Sequence, residues 1–135
     1  MHRLDAKKLI WLCAVVYFCS YLTRLSYSAV MVEMIAAEGF AKPEAAAALT
    51  GLFITYGFGQ IISGYMGDRL RPHMLIFSGL LISAVMNLLI PLSQQSGIMT
   101  AVWCVNGFAQ ALMWPPLVKI MSSLLDGEAY KKAAV

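Results

Sequence analysis

Apolar residues fall into four long runs separated by short charged or turn-rich stretches. Each run can cross a hydrocarbon core that takes roughly 20 helical residues. The first extends from about Leu9 to Val32, the second from Ala45 to Met66, the third from Met74 to Leu92 and the fourth from Ile98 to about Leu125. Between the first two, Glu33 to Glu44 carries three acids, Lys42, Gly39 and Pro43, and reads as a loop with a short amphipathic helical end. The charged turn Gly67 to His73 closes the second run. Pro91 breaks the third near its end, and Ser93 to Gly97 forms a tight polar turn. Trp114-Pro115-Pro116 interrupts the fourth, where two missing backbone donors predict a kink and an irregular helix beyond it. Asp126 to Val135 reads as the start of a loop. The pattern predicts an all-α membrane protein with four transmembrane helices.

Composition agrees: the chain is 60% hydrophobic and 13% charged, with mean hydropathy +0.72, too apolar for an ordinary soluble domain. The net charge of +3 makes no basic stripe, because lysines and arginines stand at span ends, so nucleic acid is not an expected partner. Arg3, Lys7 and Lys8 precede the first span, Arg69 and Arg71 join the second to the third, and Lys119, Lys131 and Lys132 lie near the end; only Lys42 falls on the other side. By the positive-inside rule both termini are cytoplasmic. His2-Arg3 and Lys7-Lys8 before an apolar run resemble a secretory leader. No small-x-small cleavage site closes the run, however, and an uncleaved first helix is expected. Cys13, Cys19 and Cys104 lie in apolar segments without Cys-x-x-Cys spacing, and His2 and His73 are far apart, so neither a metal nor a cofactor is expected.

Against this background Arg24 stands out, because a guanidinium deep in a span costs about 2.5 to 3.5 kcal/mol even on lenient insertion scales. Tyr17, Ser20, Tyr21, Arg24, Tyr27 and Ser28 follow at steps of three and four and share one helix face. The first span therefore has its polar face toward a protein interior or cavity, where Arg24 can hold an anion. In the second span Gly51, Thr55, Gly59, Ser63 and Gly67 recur every four residues, a stripe that admits a neighbouring backbone and reads as a scaffold contact. Tyr56 and Gln60, on an adjacent face, can look into the cavity of Arg24. In the fourth span Asn106, Gln110 and Trp114 are spaced by single turns; two amides at that depth need partners, as interhelical glue or as ligand contacts. No nucleophile and base stand at useful spacing, so an enzyme is not expected.

The turn Gly64-Tyr65-Met66-Gly67-Asp68-Arg69-Leu70-Arg71-Pro72-His73 resembles the G-x-x-x-D-R-x-x-[RP]-[RK] signature of major facilitator transporters. Three further stretches resemble the organophosphate:phosphate antiporter family, in matching order: Y-L-T-R in the first span, A-L-T-G-L-F-I-T-Y-G-F-G-Q in the second and G-F-A-Q-A-L-M-W-P-P in the fourth. The resemblance implies a partial N-terminal half of a twelve-helix fold in a bacterial cytoplasmic membrane. It implies exchange of organic phosphate esters, such as glycerol 3-phosphate or hexose phosphate, for inorganic phosphate. Its partners would be those anions, the lipid bilayer and the missing C-terminal helices. By that likeness Arg24 is the phosphate-binding arginine, Tyr17 and Tyr21 are cavity aromatics, and Gln60, Gln110 and Trp114 complete the substrate-binding set. Gly64, Asp68 and Arg69 belong to the cytoplasmic gating loop. Leu25 and Gln60 stand where glycerol phosphate exchangers have lysines, which implies a less positive cavity. Family members are far longer than this chain, so one arginine is expected to be half a site, and Met1-His2-Arg3 reads as a true start. Two other readings fit the same residues: a transporter-like membrane sensor of sugar phosphates, and a four-helix structural membrane subunit.

Overall fold

The computed structural model describes residues 6–37, 39, 41–93, 95–125 and 127–133, with the side chains of 129, 132 and 133 left aside. Met1 to Arg3, Asp126 and the Lys132 side chain, which bear on the expected start, topology and C-terminal loop, lie outside the described residues. The elements are α1 (Ala6–Ala37), α2 (Lys42–Arg69), α3 (Pro72–Leu89) with a 3-10 turn at Ile90–Leu92, α4 (Ser96–Ala111), α5 (Trp114–Leu124) and α6 (Gly127–Ala133). Among the described residues three helices are long and apolar enough to span alone: Ala6–Ala37, Lys42–Arg69 and Pro72–Leu92. The stretch expected as the fourth span is divided into α4 and α5 in series.

Several expected boundaries shift. α1 continues to Ala37, so the loop before α2 is much shorter than the Glu33 to Glu44 stretch. Gly39 in that loop takes φ 69°, a left-handed value that glycine adopts without penalty. At the start of α2 the Ala41 amide donates to Glu44 Oε2 at 3.2 Å, which closes the first turn. Residues 127–133 form α6 where a loop was expected. The helix after the double proline is regular, contrary to the expectation of irregularity. Pro115 and Pro116 fall in the first turn of α5, where a missing N–H breaks no intrahelical bond. The departure from α-geometry comes just before them, at Leu112 and Met113, whose amides donate to Ala109 O at 3.2 Å and Gln110 O at 3.3 Å in tighter turns.

The helices run antiparallel between two apolar clusters. One gathers Tyr27 and Met34 of α1, Ala48 and Leu52 of α2, Ile90, and Met99 and Trp103 of α4. The other gathers Leu9 and Cys13 of α1, Ile76 of α3, and Leu117, Met121 and Leu125. Each of α1, α3 and the α4–α5 pair passes from one cluster to the other, so the middle of each of these lies in a layer between them. Lys7, Lys8, Arg69, Arg71 and Lys119 all belong to the Leu9 end, and Lys42 to the opposite end.

The small-residue stripe of α2 is what brings α2 and α4 together. A β-carbon at Gly51 would lie 2.5 Å from Cys104 Sγ, and one at Gly59 would lie 2.7 Å from Ala111 Cβ. From the other side, a β-carbon at Gly107 would overlap Leu52 O and Thr55 Oγ1. Thr55 Oγ1 meets the carbonyl of Cys104 at 2.8 Å, although its hydrogen also has acceptors within its own helix. Without a solvent-driven hydrophobic effect between helices in lipid, such close packing and occasional hydrogen bonds supply the association.

Gly107→Ala is expected to cost about 1 to 3 kcal/mol, because its new methyl meets backbone that cannot swing aside. Gly57→Ala, where a β-carbon meets nothing within 4 Å, should be neutral or stabilising. Reversible unfolding of the purified chain in mixed detergent micelles measures both.

Candidate anion-binding cleft

Arg24 sits half-buried on α1, one helical turn from the Tyr27 that anchors the apolar cluster. Tyr27 itself turns inward, fully buried, and donates to Ala45 O at 2.9 Å. It thus fixes the rotation of α1 and so the direction of Arg24. The guanidinium carbon lies 4.4 Å from the centre of the Tyr56 ring on α2 and 5.6 Å from that of Tyr21. Both contacts are within cation–π range, which lowers the cost of the charge without neutralising it. Among the described residues no carboxylate forms an ion pair with Arg24, and its buried Nε has no hydrogen-bond acceptor.

The space beside it is a cleft of about 140 Å³ lined by Val16, Tyr17, Ser20, Tyr21, Arg24, Tyr56, Gln110, Met113, Trp114 and Leu117. That is room for a small anion, below the range of drug-sized pockets. Tyr17, Tyr21 and Trp114 are each about two-fifths exposed, at 43%, 41% and 40%, and form the rim. Tyr17 stacks at a tilt on both, with ring centres 5.0 Å from Tyr21 and 5.4 Å from Trp114. Trp114 reaches the rim because the tight turn at Leu112–Met113 starts a new helix there.

Of the residues singled out from sequence, the cleft brings together Arg24, Tyr17, Tyr21, Gln110 and Trp114, together with Tyr56. Gln60 is half-buried on α2 and does not line it. One turn of separation from Tyr56 is enough to carry it past the cleft's edge. Leu25 is on the outer face of α1, 57% exposed beside Phe18 and Leu22. The two positions that the resemblance marks as departures therefore lie outside this cleft, and Arg24 is the only cation lining it among the described residues.

Beneath the cleft runs a hydrogen-bonded layer, of which only Asn106 and Gln110 stand out from sequence. Gln110 Nε2 donates to Thr23 Oγ1 at 2.6 Å and to Ser83 Oγ at 2.9 Å. Ser83 donates to Asn106 Oδ1 at 2.6 Å. The Thr23 carbonyl accepts from Asn87 Nδ2 at 3.0 Å and Asn106 Nδ2 at 3.5 Å. Asn106 is thus glue between helices, whereas Gln110 serves both the layer and the cleft. Its Oε1 is buried without a donor, a state that costs about 1 to 3 kcal/mol while it lasts. Ser83 and Asn87 escaped notice from sequence. The available signal was two polar residues one turn apart within the strongly apolar third span.

At the Leu9 end, Lys119 Nζ meets Asp68 Oδ1 at 2.8 Å and Gly67 O at 2.8 Å, tying α5 to the C-terminus of α2. From sequence alone Lys119 is only a topology signal. The hydrogen bond and charge of Lys119 hold the Asp68 carboxyl below the usual carboxylate range. Arg69 packs on Tyr65, its guanidinium carbon 4.3 Å from the ring centre. A β-carbon at Gly64 would meet nothing within 4 Å, so the described helices place no steric demand for glycine there.

Residues 13–134 match the model of the Major Facilitator Superfamily, and the chain belongs to that family of membrane transporters. Among its relatives is a probable hexose phosphate transport protein of Chlamydia muridarum, 32% identical over 106 residues that make up 78% of this chain and 23% of the relative. The glycerol-3-phosphate transporter of Bacillus subtilis is 31% identical over 106 residues, 76% of this chain and 24% of the relative. The membrane sensor protein UhpC of Salmonella typhimurium is 25% identical over 128 residues, 90% of this chain and 29% of the relative. The chain spans about a quarter of the length of these curated relatives. No solved structure matches it.

Replacing Lys119 by Met should move the Asp68 titration up to the ordinary carboxylate range, as read by carboxyl carbon NMR. The sign follows from the lowered value in the folded chain. The contact contributes fully above the ordinary carboxylate pKa and is lost as pH falls through the depressed one.

Proposed function

We propose that the chain is the first four spans of a secondary antiporter that exchanges organic phosphate esters for inorganic phosphate. Hexose phosphate and glycerol 3-phosphate are the esters named by its relatives. The observation that carries this reading is Arg24: a cationic guanidinium at mid-bundle, faced by aromatic rings, with no carboxylate partner among the described residues. A planar fork of donors matches phosphate oxygens two at a time, which suits transient capture of an anion. Tyr17, Tyr21, Gln110 and Trp114 line the same cleft and form the rest of this half of the site; Tyr56 joins them in place of Gln60. Residues on the remaining helices complete the grip, and the two halves alternate in exposing the site to either side.

The basic residues gathered at the Leu9 end support a cytoplasmic placement of that end in a bacterial cytoplasmic membrane, and with it both ends of this segment. The Asp68–Lys119 pair then sits at the cytoplasmic mouth. Together with Gly64 and Arg69 it forms the region that responds as the bundle rocks. A second reading, a sensor that binds sugar phosphate without carrying it, is favoured by the relation to a membrane sensor protein over 90% of the chain.

In the complete protein reconstituted in vesicles, Arg24→Lys should lower phosphate-coupled uptake of labelled hexose phosphate or glycerol 3-phosphate by at least about tenfold, with membrane insertion unchanged. Full exchange in that variant would overturn the assignment. Binding without uptake in the unaltered protein would select the sensor. Vesicles holding residues 1–135 alone should show no uptake above background.

A further inference from the structure

The hydrogen-bonded layer under the cleft fixes which end of the Gln110 amide is left without a partner. Each hydroxyl that contacts Gln110 Nε2 has one hydrogen, and each has an acceptor for it elsewhere. Thr23 Oγ1 lies 3.0 Å from Ser20 O and 3.2 Å from Cys19 O, carbonyls of its own helix. Ser83 Oγ donates to Asn106 Oδ1 at 2.6 Å. The orientation of Asn106 is set in turn, because its Nδ2 faces the Thr23 carbonyl at 3.5 Å and its oxygen could not. Both hydroxyls are therefore left with lone pairs toward Gln110, and only an N–H can satisfy them. Turning the amide over would oblige both to abandon their present acceptors. Gln110 is 1% exposed, and its Oε1 is the polar atom of that side chain with no partner among the described residues.

Arg24 Nε and Gln110 Oε1 are thus both buried without a partner among the described residues, on two side chains that line one cleft, the first able only to donate and the second only to accept. We propose that Gln110, with its amide held by Thr23 and Ser83, presents an acceptor that selects ligands carrying an O–H donor beside the anionic group on Arg24. This rests on the exchanger reading and adds to it a rule of ligand choice. Ser83, on a helix that contributes nothing to the cleft lining, is a positioning residue acting through Gln110. The O–H can belong to the organic part of a phosphate ester or to a protonated phosphoryl oxygen. A ligand without either leaves Gln110 Oε1 buried and unpaired, and selection against it follows from that lost hydrogen bond.

The test is competition against uptake of labelled inorganic phosphate by the complete protein in vesicles, with two ligand pairs. Glycerol 3-phosphate against propyl phosphate isolates the organic hydroxyls. Methyl phosphate against methyl sulfate at about pH 5.5, below the second phosphoryl pKa of about 6, isolates the phosphoryl O–H at matched charge. The O–H ligand should be preferred by about tenfold in at least one pair, and that pair names the donor. Gln110→Leu should bring the ratio close to unity. Ser83→Ala should lower it severalfold and Ser83→Thr should restore it. Each ratio compares two ligands on the same vesicles, so a smaller folded fraction cancels. No preference in either pair, or a preference that survives Gln110→Leu or Ser83→Ala, overturns the proposal. If that happens while Arg24→Lys still abolishes uptake, the exchanger reading stands and only the selection rule falls.

Discussion

A guanidinium halfway through an apolar bundle must be surrounded by something better than hydrocarbon, and this constraint shapes the middle of the molecule. The structure meets it without a carboxylate among the described residues. Tyr56 and Tyr21 offer ring faces to Arg24, and the polar layer of Thr23, Ser83, Asn87, Asn106 and Gln110 lies next to it. Neutral partners lower the cost of the charge but leave it uncompensated, so the position remains attractive to an anion. A buried acid in the same place would have made a closed ion pair with little left for a ligand.

Holding that layer together requires the helices to be rigid on either side of it. The two apolar clusters do this, one around Tyr27, Leu52 and Trp103 and the other around Cys13, Ile76 and Leu117. Between α2 and α4 the backbones come so close that Gly51, Gly59 and Gly107 have no room for a side chain. Gly79 does the same for α3, where a β-carbon would lie 2.7 Å from Ala109 O. That approach brings α3 against the end of α4, where the chain changes from α4 to α5. The cleft rim depends on this change, since a continuous helix through Leu112 and Met113 would carry Trp114 to a different angle.

Many large apolar side chains remain on the outside, among them Trp11, Phe18, Phe58, Ile61, Leu88 and Leu92. For a water-soluble domain such a surface would be prohibitive. In a membrane it is the expected surface of a chain from a family of membrane transporters. Apart from Arg24, the charged groups of the described residues lie toward the ends, where Lys119 closes on Asp68 and Arg69 lies on Tyr65.

Four apolar helical stretches, the inverted amphipathicity of the first and the close contact along the second are legible in the chain itself. Each depends on a period or a run that local residues establish: length against bilayer thickness, steps of three and four, a small residue every fourth position. Arg24, Tyr17, Tyr21, Gln110 and Trp114 could be singled out because a polar or amphipathic group in an apolar run is conspicuous on its own. What folding alone decided is which of these meet. Gln60 and Tyr56 are a single turn apart, yet only Tyr56 reaches the cleft; Asn87 meets the Thr23 carbonyl across 64 positions, at 3.0 Å, and Ser83 is tied to Thr23 through Gln110. Lys119 finds Asp68 across 51 positions. The double proline opens a regular helix because its register falls in a first turn, and register is set by how α4 seats against α2 and α3. A local pattern gives each helix its faces, but the rotation and depth at which those faces meet is a property of all the packed helices together, and no single stretch encodes it.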